Sequence, residues 1–147
     1  MLIVSFLSGY FVTYSQHYNE VDAVLNTETQ TIEIQQKLKF QNHFDTPLTE
    51  IYFTDWVSSY SSPTTPLAEK FLNEFNTNLY IAKSKKRGFT TIKEIITSEN
   101  ETLEFHHLET QEDILKVKLK STLRPKESIT LKMNYSVKIQ NDRFTDY

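Results

Sequence analysis

The chain predicts an all-β fold, an antiparallel β-sandwich of saddle-like shape with one short helix, on three observations. From Gln30 to Phe40 the apolar residues Ile32, Ile34, Leu38 and Phe40 occupy even positions and Glu33, Gln35, Lys37 and Lys39 odd ones. The same alternation returns near the end, where Ile129, Leu131, Met133, Tyr135, Val137 and Ile139 face one way and Thr130, Lys132, Asn134, Ser136, Lys138 and Gln140 the other. Side chains alternate faces along a strand, so each stretch buries one face and wets the other, as antiparallel sheets allow. Thirdly, short turn-forming clusters recur at hairpin spacing, with almost no helical periodicity between them.

The remaining elements follow in order. Shorter strands are expected at Val21 to Leu25, Glu50 to Thr54, Thr91 to Thr97, Thr102 to Leu108 and Ile114 to Leu119, the last with Leu115, Val117 and Leu119 inward. Asp45-Thr46-Pro47, Ser98-Glu99-Asn100 and Arg124-Pro125-Lys126-Glu127 punctuate them as turns. The last long strand, at about 3.3 Å per residue, reaches roughly 36 Å, enough to cross a whole sheet. Leu67, Phe71 and Phe75 recur every four residues, and Thr65-Pro66 supplies an N-cap followed by proline at the first helical position. That is a short amphipathic helix, preceded by a loop at Ser58 to Thr64 and followed by an exposed turn at Lys83 to Gly88.

A chain of 147 residues is long enough for one domain and too short for two comfortable cores. The net charge of −3, with both signs interspersed, gives no basic face for a phosphate backbone, so nucleic acid is not an expected partner. The absence of cysteine removes disulfides, Cys-based zinc sites and thiol nucleophiles. Residues 1–15 contain an apolar stretch, Leu2 to Val12, too short for a stable membrane span, and Thr13 and Ser15 fit a signal-peptidase site before Gln16. No Lys or Arg precedes Lys37, so the basic n-region of a signal peptide is missing. Either translation starts upstream of Met1 and residues 1–15 export the chain to periplasm, cell envelope or medium, or the segment is a buried strand of a cytoplasmic protein. The domain itself is expected over 16–147, cut short at its C-terminal end, where Asn141-Asp142-Arg143-Phe144-Thr145-Asp146-Tyr147 closes the last strand.

No residue set points to chemistry, and catalytic, cofactor-binding and metal residues are all read as none. H-E-x-x-H is absent, and His106 and His107, adjacent on a strand, point to opposite faces and cannot share one metal. The bland expectation puts one of them in the core and the other in water. His17 and His43 are isolated. There is no G-x-S-x-G elbow, and two glycines, Gly9 and Gly88, cannot build a phosphate-cradling loop. Glu112-Asp113 and Asp142 with Asp146 read as exposed turn carboxylates. Lys83 to Arg87 reads as a solvated loop tip that could also meet an acidic partner or lipid headgroups. The eight tyrosines and Trp56 read as core and cross-strand packing rather than a glycan platform. Asn100-Glu101-Thr102 and Asn134-Tyr135-Ser136 are sequons, the second in mid-strand.

Several phrases, in this order and spacing, resemble the N-terminal sandwich domain of the zinc aminopeptidase family that includes aminopeptidase N, particularly its bacterial exported members. They are Asp22-Ala23-Val24-Leu25-Asn26, Phe40-Gln41-Asn42, Pro47-Leu48-Thr49-Glu50-Ile51-Tyr52-Phe53, Thr65-Pro66-Leu67-Ala68-Glu69-Lys70-Phe71, Arg87-Gly88-Phe89 and the closing Asn141-Asp142-Arg143-Phe144-Thr145. Lys126 stands where the family's turn usually carries glycine, and Gln140 where proline usually precedes Asn141. The resemblance implies a non-catalytic accessory domain that docks on a thermolysin-like catalytic domain of the same polypeptide and helps enclose the peptide-binding entrance. In that family the zinc, its H-E-x-x-H ligands and the groups that hold the substrate's amino terminus belong to positions beyond Tyr147, so no cofactor is expected in this chain and peptide substrate meets it only indirectly. The rival expectations are a free-standing secreted β-sandwich that binds glycan or protein, and a structural subunit of the envelope.

Overall fold

The computed structural model describes residues 18–140 and Phe144. The apolar segment and cleavage site of residues 1–15, together with His17 and the closing phrase apart from Phe144, lie outside the described residues. Among the described residues, seven antiparallel strands form two sheets: β1 (Tyr18–Asn26), β2 (Thr31–Gln41), β7 (Ser128–Lys138) and β4 (Phe89–Thr97) in that order, and β3 (Leu48–Thr54), β6 (Gln111–Leu123) and β5 (Glu104–Leu108) in the other. The fold is thus the expected all-β sandwich-like architecture. The two longest alternating stretches pair directly, β2 on β7, from Thr31 opposite Lys138 to Gln41 opposite Ser128.

The core lies between the sheets, where Ile95, Leu131 and Met133 of the larger sheet meet Ile51, Leu115, Val117, Leu119 and Leu123 of the smaller one. Burial alternates along β6, with Leu115, Val117 and Leu119 inward as the sequence predicts. β4 changes parity partway. Its register shifts between Ile92 and Glu94, so Thr90 and Ile92 face inward before the bulge and Ile95 and Thr97 after it. One extra residue on a bulged strand exchanges its faces in this way.

Asn42, fully buried, holds the crossovers at one end of the sandwich. Its amide nitrogen donates to the carbonyls of Thr46 at 2.9 Å and Leu123 at 3.0 Å, and its Oδ1 accepts from the Phe44 N–H at 3.0 Å. Its backbone exchanges two further bonds with the β6–β7 turn, Asn42 N–H to the Glu127 carbonyl and Lys126 N–H to the Asn42 carbonyl, each 2.8 Å. In that turn Pro125 is followed by Lys126 at φ 67°, a conformation that favours glycine.

Helix α1 (Pro66–Asn73) sits in the β3–β4 connection and starts where predicted, with Thr65 Oγ1 accepting from the Ala68 N–H at 3.2 Å. Its end differs from expectation. Phe75 is not on the helix's apolar face: it is 96 % exposed and left-handed, at φ 61°. The Asn76 N–H donates to the Phe71 carbonyl and the Phe75 N–H to that of Leu72, the bond pair of a Schellman stop with Phe75 in the position usually held by glycine. Two features are not read from sequence, a four-residue helical turn α2 (Asn78–Ile81) and a 3-10 turn at Trp56–Tyr60 that overlaps the start of the loop expected over Ser58 to Thr64. Leu79, Ala68, Phe71 and Phe144 form a second small core. Gly88 is buried at a close approach, where a Cβ would stand 3.1 Å from the Lys138 carbonyl oxygen. No helix among the described residues is long and apolar enough to cross a membrane.

Candidate functional site

A polar cluster centres on Asp55, the residue that follows β3. Its N–H donates to the Asp113 carbonyl at 2.7 Å, which fixes the backbone against β6, and its side chain is only 10 % exposed. Oδ1 accepts from Thr90 Oγ1 of β4 at 2.7 Å, while Oδ2 accepts from Ser58 Oγ at 2.7 Å and lies 2.9 Å from His107 Nε2 of β5. One carboxylate thereby ties the rims of both sheets to the 3-10 turn. Burial of such a group is tolerable because its lone pairs are met by three donors.

Ser, His and Asp meet here, but the order is wrong for a nucleophilic triad. That mechanism needs imidazole between hydroxyl and carboxylate, so that the ring nitrogen takes the hydroxyl proton. In this cluster the carboxylate stands in the middle, and the Ser58 hydroxyl donates its hydrogen bond to Asp55 rather than to His107. The arrangement binds elements together. Neighbouring Asp113 accepts from Ser59 Oγ at 3.3 Å. Glu112 and Asp113, expected as exposed turn carboxylates, are half-buried because β6 already begins at Gln111.

Beside Asp55 the sheets part to leave a depression of about 320 Å³, bordered by Ile34, Phe53, Ile92 and Tyr135 and by Trp56 at its mouth. Tyr135 donates its hydroxyl to Gln36 Oε1 at 2.9 Å, and Gln36 in turn donates to Asn19 Oδ1 at 2.9 Å. Burial holds the Tyr135 phenol above its ordinary pKa, and the negative charge of Asp55 adds to the effect. Trp56 is 59 % exposed and meets Tyr60 edge-on at 6.3 Å. Tyr60 stacks on Phe144 at 5.9 Å.

The other expected residues are scattered. His106 is exposed and His107 faces Asp55, on opposite sides of β5. His107 is thus drawn to a carboxylate at the rim and not into the apolar core. His43 lies exposed in the β2–β3 connection, and Asn100 and Asn134 of the sequons are exposed, the latter in β7. Tyr18, Tyr52 and Tyr80 are exposed on separate elements, so packing does not account for them. Lys116 reaches over the Tyr52 ring and pairs with Glu50, which raises its pKa. Among the described residues, no group of three or more His, Asp or Glu side chains converges as a metal site.

The large sheet also overhangs the small one. Val21, Ala23 and Leu25 of β1 stand opposite Gln36, Ile34 and Ile32, and therefore share the face of β2 that looks into the sandwich. Yet every residue of β1 is exposed, Val21 at 49 % and Leu25 at 55 %. The three-stranded sheet is too narrow to reach this ledge. Comparison with protein-family models and with curated proteins finds no match to this chain.

Proposed function

We propose that this chain is a non-catalytic docking module, the N-terminal accessory domain of a larger zinc aminopeptidase-like enzyme, lying on the catalytic domain of the same polypeptide and helping to enclose its peptide entrance. The observation that carries the docking role is the overhang of β1: an inward-facing apolar row of Val21, Ala23 and Leu25 on an edge strand that nothing described covers. Natural proteins cover or charge such edges, and a contiguous apolar ledge marks a contact surface. The aminopeptidase assignment is supported by the sequence phrases quoted above. Residues within those phrases hold the scaffold together: Asn42 joins two crossovers, Thr65 caps α1, and Gly88 allows a close backbone approach.

The test reads the frame beyond Tyr147 for H-E-x-x-H and titrates this chain against the separately produced downstream polypeptide by calorimetry. Saturable binding is expected, weakened about tenfold or more by Leu25→Asp, since an unpaired buried carboxylate costs more than the ~1.4 kcal/mol that equals tenfold. A stop codon after Tyr147, or turnover of aminoacyl anilides by the purified chain with zinc, overturns the proposal.

A second reading, a secreted module for glycan or protein, is favoured by one feature, the exposed Trp56 ring at the mouth of a depression that also presents Asp55 and Gln36. A glycan array probed with the chain and with Trp56→Ala decides it, signal lost in the variant being the supporting result.

A further inference from the structure

The segment between Phe75 and Phe89 concentrates one sign of charge and several uncovered apolar side chains. It holds Lys83, Lys85, Lys86 and Arg87 and no acidic residue, in a chain whose net formal charge is −3. Phe75 is 96 % exposed, Ile81 71 % and Tyr80 52 %. Single exposed apolar residues are ordinary on protein surfaces, but three within seven residues beside a basic run are not.

The fold brings the two properties together. Helical turn α2 ends at Ile81, and Arg87 folds the basic loop back on it by donating Nη2 to the carbonyls of Ala82 at 2.8 Å and Tyr80 at 3.4 Å. Arg87 is thus an internal strut. Ile81, Lys83, Lys85 and Lys86 then border one shallow depression of about 470 Å³, Lys83 and Lys85 with exposed side chains. At the other end of the segment, the left-handed backbone that stops α1 keeps Phe75 in water.

We infer that this tip is a membrane-docking surface for anionic phospholipid. Ile81 enters the boundary between headgroups and acyl chains, Tyr80 lies at headgroup depth, and Lys83 and Lys85 meet lipid phosphates. A basic run beside an exposed aliphatic side chain matches a bilayer surface, which presents anionic phosphate and an apolar interior at one boundary. The inference stands independently of the docking role of β1, which uses other residues.

Co-sedimentation of the intact chain with phosphatidylcholine vesicles, with and without phosphatidylglycerol, tests it. Binding is expected to rise with phosphatidylglycerol and to fall with added salt. At about fivefold per lysine, Lys83→Glu with Lys85→Glu lowers partitioning about 25-fold or more. Ile81→Ser lowers it about fivefold or more by removing the inserted group. Both variants alter exposed side chains, and unchanged thermal unfolding confirms that they fold. No added binding to phosphatidylglycerol, or partitioning that survives both variants, overturns the inference. So does binding to soluble polyglutamate without binding to vesicles, which would assign the tip to an acidic protein surface.

Discussion

The side-chain amide of Asn42 donates to the main-chain carbonyl of Leu123, 3.0 Å away across 81 positions of sequence, and the same amide reaches Thr46 at 2.9 Å. A fully buried side chain therefore joins the β2–β3 crossover to the end of β6, at the place where the chain passes between sheets. Asparagine suits this because it supplies donors and an acceptor at one site, and all of them are used.

Replacing Asn42 by Ala strands the Leu123 carbonyl in the interior and removes the partner of the Thr46 carbonyl and the Phe44 N–H, which lie on exposed residues and are partly open to water. A buried group left unmet costs about 1–3 kcal/mol and the two partly exposed ones less, so the expected loss is about 2–3 kcal/mol. Asn42→Asp is expected to be as harmful or worse, because an ionised carboxylate cannot donate to either carbonyl. Urea unfolding at neutral pH measures both, with the midpoint falling and the slope unchanged.

Phe75 and Lys126 take the opposite direction. Both hold positive φ, at 61° and 67°, where an L side chain is strained by about 1–2 kcal/mol and glycine is not. Part of that gain is offset by the greater freedom of glycine in the unfolded chain. Phe75→Gly and Lys126→Gly are each expected to stabilise the fold by about 0.5–1 kcal/mol in thermal unfolding. A loss of stability at either site would show that the side chain makes a contact worth more than its backbone strain.

These two residues also mark where the sequence is legible and where it is not. Period-two patterns in β2, β6 and β7 identify the strands and their inward faces because one face of each packs on the other sheet. Thr65-Pro66 places the start of α1 because capping is local. Phe75, by contrast, continues the four-residue spacing of Leu67 and Phe71, and only the hydrogen bonds from Asn76 and Phe75 show that the helix has already stopped. The overhang of β1 is invisible in sequence, since it depends on the width of a sheet formed by other residues. Asp55 is equally hidden: Ser58 lies three positions on, but Thr90 and His107 come 35 and 52 positions later. No local pattern announces that they share a carboxylate.

Asp55→Ala removes the acceptor for Ser58, Thr90 and His107 together. Their hydroxyls and ring lie near the rim, so water can replace part of what is lost, and the expected cost is about 2–3 kcal/mol. Thr90→Val, which keeps the shape and deletes one donor, is expected to cost about 1 kcal/mol. Since the two changes remove the same bond, a double variant costs less than their sum, and the coupling is read from a cycle of urea unfolding midpoints.

Tyr135 gives the pH dependence that follows from this geometry. Burial chiefly, and the negative charge of Asp55 secondarily, raise its phenol pKa above the unfolded value of about 10. A group that holds its proton more tightly when folded contributes stability that is fully present below the unfolded pKa and is lost as pH rises through the folded one. Stability is therefore expected to decline on the alkaline side, above about pH 10, and Tyr135→Phe to flatten that decline. The substitution also leaves Gln36 Oε1 without its donor, which lowers stability at neutral pH by about 1 kcal/mol. The two causes of the raised pKa separate in Asp55→Asn, which keeps the burial and removes the charge. Its Tyr135 phenol, followed by the NMR shift of the ring carbon bearing the hydroxyl, is expected to titrate lower than in the parent chain yet still above an exposed tyrosine. Full return to the exposed value would mean that Asp55, and not burial, governs the group.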